Sequence, residues 1–365
     1  MSNFDPNAIL RGVQLTLVGA LRALKNPALF TSDHYRQAAI AVAAGLAIRL
    51  VVAIPIVGVQ LLIWIVSLFK DLEGVTWDDD VLSGLHFIEH SVLQVPFFLM
   101  SIMRYFTPTL DDMFMDSLRW VDQTYVQKHK SEDPDKLRAM YYPNMRMYST
   151  HGFTASEKSP PWGAARKVMA RFGRKAVISI VVYTLSYVPY VGRFVLPAAS
   201  FYTFNNAVGT IPAAIIFGSG IFVPKRYFVM FIQSYFSSRA LMRDLLEPYF
   251  SRIRYTKEQK RTWFRDREGV LFGFGVGFYL FLKIPLLGVL IYGIAEASTA
   301  YLVTKITDPP PPPAEWQDHA ESSVRWRNKH EFLTLPLSHL DANNVQTDPA
   351  LRNPVATEPY GKRFT

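Results

Sequence analysis

The chain has 365 residues, 50% of them hydrophobic and 19% charged, with a formal net charge of +9 and no cysteine. Without cysteine there are no disulfides, thiolate metal sites or thiol nucleophiles. The positive charge does not point to nucleic acid, because the Lys and Arg residues flank long apolar blocks, where they meet anionic lipid headgroups and set topology.

No cleavable signal is expected at the start. Asp5 followed by Pro6 predicts an N-cap and first helical position, and Ile9, Val13, Leu17, Leu21 and Leu24 form an apolar stripe beside Arg11, Arg22 and Lys25. Residues 1–30 therefore read as an amphipathic helix. It lies either in the membrane surface or against the protein's own membrane domain.

Residues 38–106 read as an out-and-back transmembrane pair. Ala38 to Phe69 is long enough to span, and it is followed by an acidic loop with Asp71, Glu73 and Asp78 to Asp80. Within the return segment, His86-Phe87-Ile88-Glu89-His90 has the order of a metal-binding helix, but it sits at the mouth of an apolar stretch with no assignable third ligand. It reads as an interfacial polar cluster, and neither a metal nor a cofactor is expected.

Residues 107–173 form a basic loop, expected to stay cytoplasmic. Within it, Leu110, Met113, Phe114, Leu118, Val121 and Tyr125 recur at helical spacing opposite Asp111, Asp116 and Asp122, which predicts a surface helix. Two further apolar blocks follow, at 174–223 and 269–306, separated at 224–268 by basic amphipathic helices in which Arg and Lys stand beside Tyr, Phe and Trp.

A Pro-x-x-Gly core recurs in three blocks, at Pro55/Gly58, Pro189/Gly192 and Pro285/Gly288. Proline removes an amide donor and a glycine three residues on permits reversal, so each is a candidate kink or hairpin tip. In the last two blocks both flanks are basic, which suits hairpins that enter and leave on one side; the first block reads as a span. Arg49, Arg193, Lys283 and Glu296 are the candidate polar residues at membrane depth. Arg193 and Lys283 would attract an anion or a lipid phosphate if the tips enclose a wet cavity; otherwise they snorkel or pair, Lys283 with Glu296. The glycines of Gly273-Phe274-Gly275-Val276-Gly277 follow no strand, so they predict close helix packing instead of a phosphate cradle. Residues 307–365, led by Asp308 and five prolines, read as a disordered tail. No nucleophile elbow, P-loop or cofactor fingerprint is present, and no enzymatic activity is expected.

The segment VLFGFGVGFYLFLKIPLLGVLIYGIAEASTAYLVTK, Val270 to Lys305, resembles the last hairpin of the CysZ and etoposide-induced protein superfamily. AVISIVVYTLSYVPYVGRFVLPAASFYTFN resembles the preceding hairpin, and ILRGVQLTLVGALRALKNPALF the amphipathic start. The resemblance implies an all-α integral membrane protein with about two spanning helices and two half-penetrating hairpins. CysZ proteins move sulfate, and the resemblance would carry a basic anion site onto the residues after Pro27, where this chain has Ala28, Leu29, Phe30 and Thr31 instead. The long middle loop, Met242 to Phe250 and the proline-led tail look more like the fungal branch of Lds outer spore wall (lipid droplet) and UsgS-type membrane proteins. That branch implies a hairpin protein of the endoplasmic reticulum and lipid droplets, with loops and tail mainly cytoplasmic. It would act on membrane lipids, anionic headgroups included, in lipid organisation or spore wall assembly, alone or as a homo-oligomer. An anion channel or permease of the CysZ type is the alternative.

Overall fold

The computed structural model describes residues 5–30, 109–131, 137–149, 225–253, 255–284, 287–327 and 329–336, with single helical positions between 39 and 218. The described residues are helical, with no strand among them. The expected spanning pair at 38–106 and hairpin at 174–223 lie outside them, and so do Arg49, Pro55, Gly58, Pro189, Gly192, Arg193, Pro285 and the histidine motif.

Helix α1 runs Pro6–Leu24. As expected, Asp5 is its N-cap and accepts from the amide of Asn7 (2.9 Å), with Pro6 in the first turn, where its missing N–H costs nothing. A 3-10 turn follows at Pro27–Phe30. Helix α2 is Thr109–Lys128 and α3 is Tyr141–Met147. The basic segment holds α4 (Lys225–Leu245), α5 (Glu247–Arg252) and α6 (Lys257–Asp266), the last opened by a Thr256/Gln259 capping box. Helices α7 (Glu268–Leu282) and α8 (Gly288–Ile306) follow, joined by the five residues Lys283 to Leu287. A 3-10 turn at Pro313–Glu315 leads into α9 (Trp316–Ser323), then α10 (Lys329–Thr334).

The core is organised around the α7–α8 pair. Helix α1 packs against both arms, and more extensively on each than they pack on one another; α4 covers another side of α7, and α2 covers α8. Helix α1 does so through Ala8, Gly12, Leu15, Gly19 and Ala23, while Leu17, Leu21 and Leu24 of the expected apolar stripe face outward. Arg11 accordingly belongs to no outward basic face: it is buried.

Close approach is set by glycine, as the sequence anticipates. Gly269, Gly273 and Gly277 recur every four residues on one face of α7. A Cβ on Gly273 would overlap the carbonyl oxygen of Ile9, and one on Gly12 that of Val270, so the two backbones touch at a reciprocal glycine crossing. There the Thr16 hydroxyl donates to the carbonyls of Phe274 and Gly12 (3.2 Å each). Gly275 faces the other way, where a Cβ would come within 2.7 Å of the Ser238 carbonyl on α4.

Three expectations are corrected. Helix α2 forms where its pattern placed it, but Leu110, Phe114, Leu118, Val121 and Tyr125 are buried against the rest of the core, and Asp122 is buried with them. Its carboxylate meets Arg138 in an ion pair of 2.8 Å, which supplies the compensation that burial of a charge demands. The aromatics of the basic segment, among them Tyr235, Tyr249, Phe250 and Trp263, are core residues; Phe250 meets Trp263 edge-on at 5.0 Å. The segment after 307 is no featureless tail as far as 336. Trp316, Ala320, Trp326 and Phe332 anchor it in the core, so these few apolar residues bury enough surface to order a proline-rich strap.

Candidate functional site

The α7–α8 turn carries an apolar surface. Leu280, Phe281, Ile284, Leu287 and Leu290 are all exposed, Leu280 to 58%. Their neighbours one turn away, Phe278, Tyr279, Leu282 and Tyr292, are buried. The outer face of α1 continues the pattern with Leu10, Leu17, Leu21 and Leu24, Leu21 being 61% exposed, and Phe30 follows in the 3-10 turn. Water charges about 25 cal/mol for each Å² of such surface, so gathered leucines and phenylalanines signal a surface meant for another environment. At 1.5 Å per residue the arms are roughly 22 and 28 Å long, against about 30 Å of bilayer hydrocarbon. Among the described residues no helix is long and apolar enough to cross a membrane.

The polar residues expected at this hairpin do not meet. Lys283 caps the C-terminus of α7, exposed at the turn, with its ammonium 4.7 Å from the centre of the Tyr279 ring. Glu296 is fully buried, eight residues into α8 and so about 12 Å along the axis from its start. The anticipated Lys283–Glu296 pair is therefore not formed. Gly288 begins α8 and is buried. Buried hydroxyls on α8 are satisfied within the helix: Ser298, Thr299 and Thr307 donate to the carbonyls of Ile294, Ala295 and Val303 at 2.6, 2.8 and 2.6 Å.

Away from the turn, the helices are held by arginine. Arg267, at the α6–α7 corner and 2% exposed, donates through Nε to the carbonyl of Ile306 (2.7 Å) and through its two terminal nitrogens to those of Val324 (2.9 Å) and Ser323 (3.2 Å). Its guanidinium lies 4.6 Å from the Trp263 ring centre. Burial pulls its pKa below the ordinary arginine value, and the three carbonyls together with the ring stabilise the charge. Arg138 pairs with Asp122 between the rings of Tyr125 and Tyr141, at 4.5 and 4.9 Å. Burial pushes the Asp122 carboxyl up against the pull of Arg138 and the Tyr142 amide. Arg11 donates to the carbonyls of Leu333 and Leu335, tying α1 to the strap. Tyr141 donates to the Thr307 carbonyl, Asn144 to Pro310 (2.7 Å) and Tyr148 to Pro311 (2.6 Å). Sequence reading missed this set, because an arginine that serves distant backbone carbonyls leaves no spacing motif.

A family model described as sulfate transporter CysZ/etoposide-induced protein 2.4 matches residues 207–292, the stretch that includes α4 to α7 and the first turn of α8. Over that stretch the chain is similar to a membrane-protein family, in agreement with the resemblance read from its last hairpin. No curated protein and no solved structure matches the chain.

Proposed function

We propose that this is a non-enzymatic integral membrane protein that inserts its α7–α8 hairpin into one leaflet and acts in lipid organisation, at the endoplasmic reticulum and lipid droplets. The carrying observation is the exposed apolar turn, Leu280 to Leu290, at the end of arms no longer than the hydrocarbon is thick. Arms that dip and return need no domain on the far side, so such a protein can move from a bilayer to the monolayer of a droplet. A role in outer spore wall assembly extends this reading through the resemblance to the fungal branch. The permease alternative places Arg193 and Lys283 along an anion path; Lys283 is exposed at the same turn, and Arg193 lies outside the described residues.

The cysteine-free chain offers a direct test. Single cysteines at Leu287 in the turn and at the exposed Arg261 of α6 are labelled with an impermeant thiol reagent from each side of sealed vesicles. Labelling of Leu287→Cys from neither side, with Arg261→Cys labelled from the cytoplasmic side alone, supports insertion of the hairpin. Labelling of Leu287→Cys from the far side means that the arms cross and sinks the droplet reading.

A further inference from the structure

A second surface feature lies at the opposite end of α7 from the turn. Arg239 of α4 reaches Glu268, the first residue of α7, at 3.2 Å, and donates to the Tyr235 hydroxyl at 2.7 Å. Arg243, one turn after Arg239 on α4, and Arg265, three residues before Glu268, are both exposed, and both act electrostatically on the same carboxylate. Around them α6 exposes Lys257, Arg261 and Arg265 at four-residue spacing, which places them in a row on one face. Over residues 239–268, with the buried Arg252 and Arg267 and the undescribed Arg254 set aside, Arg239, Arg243, Lys257, Lys260, Arg261 and Arg265 outnumber Asp244, Glu247, Glu258, Asp266 and Glu268. The buried Tyr235 meets Phe272 of α7 in a tilted contact (ring centres 5.4 Å apart), and Phe272, one turn nearer the hairpin tip, borders the basic cluster on its apolar side.

The depth of this cluster is fixed by helix length. From Glu268 to Ile284 is 16 residues, or roughly 24 Å at 1.5 Å per residue. Half of a bilayer, headgroups included, is about 20–22 Å. With the exposed turn at the midplane and α7 tilted by about 20°, Arg239, Arg243 and Arg265 reach the headgroup layer. Phe272, half-buried and one turn nearer the tip, sits just inside them, where an aromatic ring suits an interface.

We propose that Arg239, Arg243 and Arg265 form a binding site for the phosphate of an anionic phospholipid whose acyl chains lie along α7. This rests on the hairpin-insertion reading above. Guanidinium groups from two helices can grip one phosphate bidentately, and the row on α6 draws anionic lipid to the site. The shared chemistry is phosphate recognition; the depth of the cluster selects a lipid over a free ion.

The test uses the full chain in mixed micelles, with energy transfer from its tryptophans to pyrene-labelled phosphatidic acid or pyrene-labelled phosphatidylcholine. The expected result is a preference for phosphatidic acid that falls about fivefold for each arginine removed, at roughly the strength of one cation near a membrane surface, in Arg265→Gln and in Arg243→Gln/Arg265→Gln. Lys130→Gln, with the same charge change on an exposed residue elsewhere, keeps the preference. Equal transfer to the two lipids in the unaltered chain, or an unchanged preference in the double variant with its unfolding temperature intact, overturns the site. Displacement by millimolar inorganic phosphate as effective as by phosphatidic acid also overturns it, in favour of a soluble anion. The labelling of Leu287→Cys separates the failures: a protected turn with no lipid preference removes this site and leaves the insertion reading standing.

Discussion

The α7–α8 turn and the α6–α7 corner bound the same helix, yet they are built on opposite terms. At the turn, large apolar side chains face outward and no charged group is buried; at the corner the charged group, Arg267, is inside and three backbone carbonyls from two other segments are gathered around it. The difference separates an end of α7 that is tied to distant backbone from one that is not. The corner relies on charge-assisted hydrogen bonds, and the contact of α7 with α1 relies on glycine.

The contrast breaks most sharply at Arg267. Arg267→Leu orphans the carbonyls of Ile306, Ser323 and Val324 and is expected to cost on the order of 4 kcal/mol, read as a fall in unfolding temperature together with early proteolysis after residue 307. A loss near zero would mean that the corner is held by its aromatics alone. Gly273→Val drives a side chain into the backbone of α1 and is expected to cost about 3 kcal/mol, with amide exchange rising first in α1. Gly293→Ala is its control: the added methyl meets only the flexible end of Met113 at 3.0 Å and should be tolerated.

Tyr148→Phe removes one donor to the strap and should cost about 1 kcal/mol. Burial pushes the Tyr148 phenol up to about 12, so this contribution is fully present below the ordinary tyrosine value of 10 and is lost as pH rises through about 12. An alkaline unfolding curve for Tyr148→Phe that runs parallel to that of the parent between those values would contradict it. The smallest effect on folding belongs to the turn. Leu287→Ser should change stability by less than about 0.5 kcal/mol while weakening partition into vesicles roughly tenfold, measured by flotation. If folding suffers instead, the turn is packed and not lipid-facing.

Much of this was legible from residues whose effect is local. Asp5 with Pro6 marked the start of α1; the 273–277 glycines marked close packing; the spacing from Leu110 to Tyr125 marked α2. What escaped depends on partners far along the chain. Asp122 lies among charges that alternate with apolar positions, and nothing local shows that Arg138 draws it inward. After 307, five prolines and sparse aromatics look unpatterned because the strap's order comes from side chains elsewhere that hold its carbonyls. Lys283 and Glu296 fell on different levels of the α7–α8 hairpin, a separation that one-dimensional proximity conceals.

The crossing of α1 with α7 also bears on synthesis. Thr16 bonds to a carbonyl 258 residues later in the chain. At about 5–20 residues per second, α1 waits roughly 13–50 s on the ribosome for its partner to be translated. Throughout that interval its glycine face is bare. Translation speed thus sets how long the first helix remains exposed to wrong partners.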